Sequence, residues 1–183
     1  MELTKSLTQP KVIKSLLAIL LGSIALTISA KIKIPFYPVP MTMQTFVVLF
    51  LGISLGYKIG LATIGLYLLE GIVGLPVFSN SPEKGVGLLY FTGPTMGYLI
   101  GFLIACYLAS MIKFEDSYFV ILGKLVLATS TIYILGLLWL GILIGWDKTI
   151  FILGAKPFLL AEIFKISILA LLAKQIVKIR KFI

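Results

Sequence analysis

Six long apolar runs constrain what this chain can fold into more than any other feature of its sequence. A helix needs about 20 apolar residues to cross the hydrocarbon core of a membrane. The runs cover residues 12–30, 41–56, 58–73, 93–113, 117–145 and 157–178. The sequence therefore predicts an all-α integral membrane protein, a single bundle of six transmembrane helices that residues 1–183 form as one domain.

Three of the runs depart from this length. The second and third are short and are divided only by Gly56, Tyr57 and Lys58, which leaves open whether each crosses the full membrane. The fifth is long enough to be tilted, or to kink near Gly136 or Gly141.

The first run also resembles a secretory signal peptide that would be cut after Ala30. Ile28 is a poor residue three places before that cut, and removal of the run would leave an odd number of helices. We therefore expect it to stay in place as the first helix.

The composition agrees with a lipid-embedded chain. Apolar residues make up 60% and charged residues 13%, against about 45–50% and about 25% in soluble domains. The net charge of +9 does not indicate nucleic-acid binding, because most of the basic residues bracket the apolar runs.

Lysine and arginine in the short flanking segments predict the orientation. One side carries nine of them: Lys5, Lys11, Lys14, Lys58, Lys113, Lys174, Lys178, Arg180 and Lys181. The other side carries five: Lys31, Lys33, Lys84, Lys148 and Lys156. Both termini are predicted to be cytoplasmic, and the loops 31–40, 74–92 and 146–156 to face outward. These long loops favour a lid over a ligand pocket, although ordinary connectors would fit the pattern too.

Four ionisable residues interrupt the apolar runs, and each needs a physical reason. Lys124 and Glu70 lie near helix ends and are expected to reach the membrane surface. Glu162 and Lys165 are spaced i,i+3, so they share one face of the last helix, too deep for easy access to water. They form either a structural ion pair or the polar part of a ligand pocket.

Several site types are missing from the sequence. There is no His, the single Cys106 has no partner, and neither a GxxxxGK[ST] nor a GxSxG motif occurs. We therefore predict no catalytic residues, no metal site, no cofactor and no enzymatic activity. A membrane-embedded enzyme and a channel stay as weaker alternatives to a protein that captures a small molecule.

Four segments together resemble one known family, the BioY proteins, which are the biotin-specific substrate-binding (S) subunits of energy-coupling factor (ECF) transporters. They are PVPMTMQTF (38–46), GLPVF (74–78), GPTMGYLIGF (93–102) and GAKPFLLAEIFK (154–165), in the order and spacing of that family. The resemblance covers essentially the whole chain.

The resemblance implies high-affinity capture of biotin at the outer face of a prokaryotic cell membrane, in a pocket that the first and third outer loops close. Biotin would be the transported ligand and not a cofactor, and related subunits carry other vitamins in the same architecture. The implied partners are a transmembrane coupling protein and two ABC-type ATPases. Small residues on the first helix would dock them: Ala18, Gly22 and Ala25.

The last helix resembles the family pattern PFxPGDxxK at Pro157, Phe158 and Lys165. Glu162 stands where the pattern has Asp, and Leu160-Ala161 replaces its Pro-Gly. The pattern implies that Lys165 meets the biotin carboxylate and that Glu162 accepts from the N–H groups of the ligand.

Two further positions bear on the pocket. Asn80 follows GLPVF where the family has a ligand-contacting Asn, and Met96 fills a position of the family's GPTGGY pattern that is normally Gly. The predicted substrate-binding residues are Gln44, Phe78, Asn80, Tyr98, Glu162 and Lys165.

Overall fold

A computed structural model describes residues 10–35 and 37–182. Lys5, counted above for the orientation, lies outside the described residues. The described residues are mostly helical, as predicted, apart from one two-stranded antiparallel ladder. The elements in chain order are α1 (Pro10–Lys31), β1 (Lys33–Ile34), β2 (Met41–Thr42), α2 (Gln44–Ile72), a 3-10 turn (Gly87–Thr92), α3 (Met96–Ser110), α4 (Tyr118–Ile144), α5 (Ile150–Gly154), a 3-10 turn (Lys156–Phe158), α6 (Leu159–Val177) and a 3-10 turn (Lys178–Phe182).

Three of the described helices are long and apolar enough to cross a membrane. They are Lys11–Lys31, Gln44–Ile72 and Tyr118–Ile144, and Met96–Ser110 is a shorter apolar helix. This confirms the membrane-helical character that the apolar runs predict.

Helix α2 contains both the second and the third predicted run, and the chain reverses direction inside it. Gly56 has φ 73° and ψ 177°, a conformation open essentially only to glycine. Gln44 Nε2 donates to the Tyr67 hydroxyl at 2.7 Å, although a straight helix would separate these residues by about 34 Å. The two runs are therefore two helical segments folded back on each other, divided where the sequence predicts.

The kink considered for the fifth run does not occur. Helix α4 is continuous through Gly136 and Gly141. A Cβ atom on Gly136 would lie 2.3 Å from the Tyr98 ring, and one on Gly141 would lie 2.6 Å from the Trp146 ring. These glycines make room for aromatic rings and do not bend the helix.

The three long loops gather at one end of the bundle. Lys31 Nζ donates to the carbonyl oxygens of Phe78 and Ser81, each at 2.8 Å, which joins the first loop to the second. The Tyr98 hydroxyl donates to Gly154 O at 2.8 Å, which joins α3 to the third loop. We call this end the loop end.

The opposite end is closed by Arg180. Its guanidinium donates to Ile53 O at 2.7 Å, Gly52 O at 3.1 Å and Ser110 O at 2.9 Å. These contacts tie the C-terminal 3-10 turn to the first half of α2 and to the last turn of α3. We call this end the tail end.

The reversal at Gly56 can be tested by substitution. Gly56→Ala is expected to lower the free energy of unfolding by about 1–3 kcal/mol, because an alanine cannot adopt this backbone conformation without strain. A Cβ atom there would meet nothing closer than Arg180 Nε at 3.9 Å, so the cost comes from the backbone alone. Thermal unfolding in detergent measures the change.

Gly65→Ala is the matched control. Gly65 lies inside the same helix with no neighbour within 4 Å of a Cβ atom, so alanine there should be neutral or stabilising. Equal stabilities of the two variants would contradict a backbone requirement at Gly56.

Candidate functional site

A cavity lies at the loop end, between the helices and the loops that cover them. It holds about 540 Å³ of empty space, part of which is open to solvent. Four of the six predicted substrate-binding residues line it: Gln44, Phe78, Tyr98 and Glu162. The remaining wall comes from Val39, Pro40, Met41, Thr42, Thr45, Ser79, Tyr90, Thr95, Leu99, Phe102, Ile132, Tyr133 and Phe158.

Aromatic rings form two parts of this wall. On the loop side Phe78 stacks on Tyr90, with ring centroids 4.6 Å apart, and meets Tyr67 edge-on at 5.3 Å. On the helix side Tyr133 lies between Tyr98 and Phe158, with centroids at 6.0 and 6.3 Å. Such rings can cover a flat apolar ligand with little loss of side-chain freedom.

The polar part of the cavity is a network that joins α2 to α6. Glu162 Oε1 accepts from the Thr45 hydroxyl and from Lys165 Nζ, each at 2.8 Å. Lys165 Nζ also donates to Thr45 Oγ1 at 3.0 Å and to Thr42 O at 2.7 Å. Glu162 and Lys165 are 4% and 5% exposed, so the pair is an almost fully buried ion pair.

The second carboxylate oxygen of Glu162 is buried, and no described residue donates a hydrogen bond to it. The Tyr133 hydroxyl faces this carboxylate as a potential donor but lies outside regular hydrogen-bond geometry to Oε2. A buried acceptor without a donor is costly unless something supplies one. Glu162 Oε2 is therefore a buried acceptor that the described residues leave without a regular hydrogen bond.

Gln44 connects the cavity to the loop above it. Its Nε2 donates to the Tyr67 hydroxyl, which donates in turn to Val77 O at 3.2 Å. Since Val77 precedes Phe78, this chain of hydrogen bonds fixes where the Phe78 ring enters the cavity.

Two of the predicted residues lie apart from this cavity. Lys165 does not line it, because all three of its N–H donors are directed at Thr42, Thr45 and Glu162. Asn80 lies on a small separate cavity beside Tyr90 and Thr95, and its Oδ1 accepts from Lys33 Nζ at 3.2 Å.

The other ionisable residues of the apolar runs have partners within the chain. Lys124 forms an ion pair with Asp116 at 2.6 Å, in the link that follows α3. Glu70 accepts from the Ser23 hydroxyl on α1. Among the described residues, no group of three or more His, Cys, Asp or Glu side chains is placed to hold a metal ion.

The small residues of α1 that the resemblance assigns to docking, Ala18, Gly22 and Ala25, partly pack against the rest of this chain. Gly22 is buried, and a Cβ atom there would lie 2.5 Å from Thr63 Cγ2 and 3.2 Å from Leu51. Ala18 and Ala25 are half-buried. Gly22 thus allows the close approach of α1 to α2 within the bundle.

Thr45, Tyr90 and Tyr133 belong to the site but were not predicted from the sequence. Thr45 follows Gln44 in the motif PVPMTMQTF, so its position could have suggested it. Tyr90 and Tyr133 lie in ordinary apolar surroundings, and no local pattern distinguishes them from other aromatic residues.

Comparison with known proteins places the chain among transporters. A family model described as the BioY family matches residues 3–182. The "Probable biotin transporter BioY" of Pyrococcus horikoshii is 36% identical over 155 residues, which is 84% of this chain and 90% of that protein. The "Biotin transporter BioY" of Thermotoga maritima is 33% identical over the same shares of each chain.

One solved structure shares the fold. It is described as the "S-component for biotin from an ECF-type ABC transporter", has a TM-score of 0.77 and covers 93% of this chain and 94% of its own. Its sequence is 22% identical to this one, so it supports the fold alone.

The network around Thr45 predicts the effect of removing one hydroxyl. Thr45→Val keeps the shape of the side chain but removes a donor to Glu162 and an acceptor from Lys165. We expect it to lower stability by about 1–2 kcal/mol in a thermal unfolding measurement.

Thr129→Val is the control, because the hydroxyl of this buried threonine has no hydrogen-bond partner among the described residues. It should be neutral or stabilising. An equal loss in both variants would mean that the Thr45 network contributes nothing beyond packing.

Proposed function

The chain belongs to the BioY family, and on that premise we propose that it captures biotin as the S-component of an ECF transporter in a prokaryotic cell membrane. Relatives at 36% and 33% identity are named as biotin transporters. The family is one of transport subunits and not of enzymes, in agreement with the prediction from the sequence.

The observation that carries the biotin assignment is the buried Oε2 of Glu162, to which no described residue makes a regular hydrogen bond. The ureido ring of biotin carries two N–H donors and one carbonyl acceptor. An N–H of that ring donates to Glu162 Oε2, in a charge-assisted hydrogen bond to an oxygen that has no regular one from the protein. The second N–H of Gln44 Nε2 is available to the ureido oxygen, since its first is used by Tyr67.

The rest of the cavity matches the apolar part of the ligand. The thiophane ring lies against the aromatic walls, between the Phe78–Tyr90 stack and the Tyr133–Phe158 pair. A cavity of this kind binds through apolar contact and uses its few polar groups to set orientation.

We propose that Lys165 acts through Glu162. With three acceptors already in place, Lys165 neutralises and orients the carboxylate that meets the ligand. Direct contact with the biotin carboxylate, as the family pattern implies, would require one of these acceptors to be displaced.

Biotin titration of two variants tests the site. Glu162→Gln replaces a charged acceptor with a neutral one and should weaken binding by about 1–3 kcal/mol, roughly 5- to 150-fold. Lys165→Met leaves the Glu162 charge buried and unpaired, and should cost about 2–5 kcal/mol, roughly 30- to several-thousand-fold. Glu70→Gln, which removes a carboxylate held by Ser23, is the control and should bind biotin normally.

Two further comparisons separate the roles of the pair. If Lys165 acts through Glu162, Lys165→Met should weaken biotin and its uncharged methyl ester equally. A purely structural ion pair would instead give normal affinity with lowered stability in the single variants, and the double variant would recover stability. That outcome would refute the pocket assignment.

We further propose that the chain crosses the membrane six times, with the loop end outside and both termini in the cytoplasm. The two halves of α2 together with α1, α3, α4 and α6 supply six helical segments. Their alternating direction is consistent with the three long loops meeting at one end.

Cysteine labelling of intact cells tests this orientation. An impermeant maleimide should modify Glu83→Cys at the loop end and leave Glu115→Cys at the tail end unmodified, since both positions are exposed. The native Cys106 is fully buried and should contribute little background. Labelling of Glu115→Cys alone would show that the tail end faces outward and would contradict the proposed orientation.

The proposed partners are the coupling protein and the two ATPases of an ECF module. Because Gly22 is covered by Thr63 and Leu51, docking through the small residues of α1 rests on Ala18 and Ala25. The exposed leucines beside them, Leu17 and Leu21, would surround such a contact.

A further inference from the structure

The tail end of the bundle carries a groove that the capture of biotin does not explain. It holds about 770 Å³ of empty space, part of it open to solvent. Its charged residues are four cations and one anion, and the rest of its wall is apolar: Lys113, Lys178, Arg180, Lys181, Glu115, Phe114 and Val177.

No cation of this groove forms an ion pair with a described residue. The ion pairs found among the described residues are Lys124–Asp116 and Lys165–Glu162, and neither involves a groove cation. Asp116, the nearest other acid, is partly buried, but its hydrogen bonds from Lys124 and from the Lys113 backbone hold its pKa below the ordinary value. Asp116 therefore stays ionised and is shared between Lys124 and Lys113, so the groove lining itself holds one acid, Glu115, against four basic residues.

Two of the cations are held in place. Arg180 is fixed by three carbonyl oxygens, and no hydrogen bond from its Nη1 is found within the part of the chain that the structure describes. Lys178 Nζ lies 5.3 Å from the centre of the Phe114 ring, within cation–π distance. The groove thus presents positive charge in a defined geometry beside an aromatic ring.

A phosphodiester with apolar chains fits this combination. Its single negative charge would meet the cations, while its glycerol and acyl part would lie along Phe114 and Val177. The groove also lies where α3 and α6 end, which is the level of lipid headgroups if these helices cross the membrane.

We propose that this groove binds the headgroup phosphate of an anionic phospholipid in the leaflet at the tail end. The inference rests on the membrane embedding proposed above, but not on the identity of the vitamin. The bound lipid would neutralise the surplus charge around Arg180, which joins α2, α3 and the C-terminal turn.

Native mass spectrometry of the detergent-purified full chain tests the proposal with dioleoylphosphatidylglycerol and dioleoylphosphatidylcholine as probes. The wild type should retain the anionic lipid in preference to the zwitterionic one. Lys178→Gln with Lys181→Gln should weaken that retention about 25-fold, since each lysine near the surface contributes about fivefold. Lys148→Gln with Lys156→Gln removes the same charge from exposed lysines at the loop end and should leave retention unchanged.

Each other outcome overturns the proposal. Equal weakening in the two double variants would show attraction to net charge and no built site. Competition by glycerol 1-phosphate at the concentration of the lipid would reassign the groove to a soluble phosphate, and competition by an acidic peptide would reassign it to a protein partner.

Biotin titration and thermal unfolding of the same samples keep the result interpretable. Both double variants should bind biotin normally, so loss of lipid retention is distinguishable from failure of the proposed function. If the tail-end double variant does not fold, Lys181→Gln alone should still weaken retention about fivefold, and no change in it would refute the site.

Discussion

A negative charge buried at the loop end is the constraint on which the site depends. A carboxylate in an apolar bundle is stable only if it is paired and hydrogen-bonded. Glu162 obtains both from Lys165, one turn away on α6, and from Thr45, 117 positions earlier on α2. Because Lys165 also needs the Thr42 carbonyl, the requirement extends to β2. One buried charge thus sets how α2, α6 and the first loop lie against each other.

The roof of the cavity depends on two further cations, Lys31 at the end of α1 and Lys33 in β1. Lys31 donates to Phe78 O and Ser81 O, and Lys33 donates to Ser79 O at 2.6 Å. These carbonyl oxygens belong to a loop with no regular structure of its own, so they need donors from elsewhere. The donors place Phe78 over the cavity, while Gln44 and Tyr67 fix the same loop from below. Both loops therefore form part of the wall of the cavity.

Much of this could be predicted from the sequence, because the information is local. The apolar runs predict the helices, and Gly56 lies in the short segment predicted to divide two of them. The positions of Gln44, Phe78, Tyr98 and Glu162 in the motifs predict four residues of the cavity wall. The predictions for Lys165 and Asn80 did not identify the contacts that fix how separate segments lie against each other. The i,i+3 spacing pairs Lys165 with Glu162 but does not show that Thr42 and Thr45 take its other donors. Nor does the position of Asn80 after GLPVF show that Lys33 holds it outside the cavity. Contacts across more than 40 residues leave no periodic signal in one sequence.

This chain departs from the BioY pattern at Glu162 and Met96, and the structure shows what surrounds each residue. Glu162, in place of Asp, has one more methylene, and it uses one oxygen for both Thr45 and Lys165 while the other stays free in the cavity. In this chain one carboxylate oxygen is therefore held by two partners, while the other has no regular hydrogen bond. Met96, in place of Gly, begins α3 half-buried and does not line the cavity, so its bulk is accommodated beside the site. The first change lengthens the reach of the carboxylate without altering its chemical type, and the second places its bulk beside the cavity.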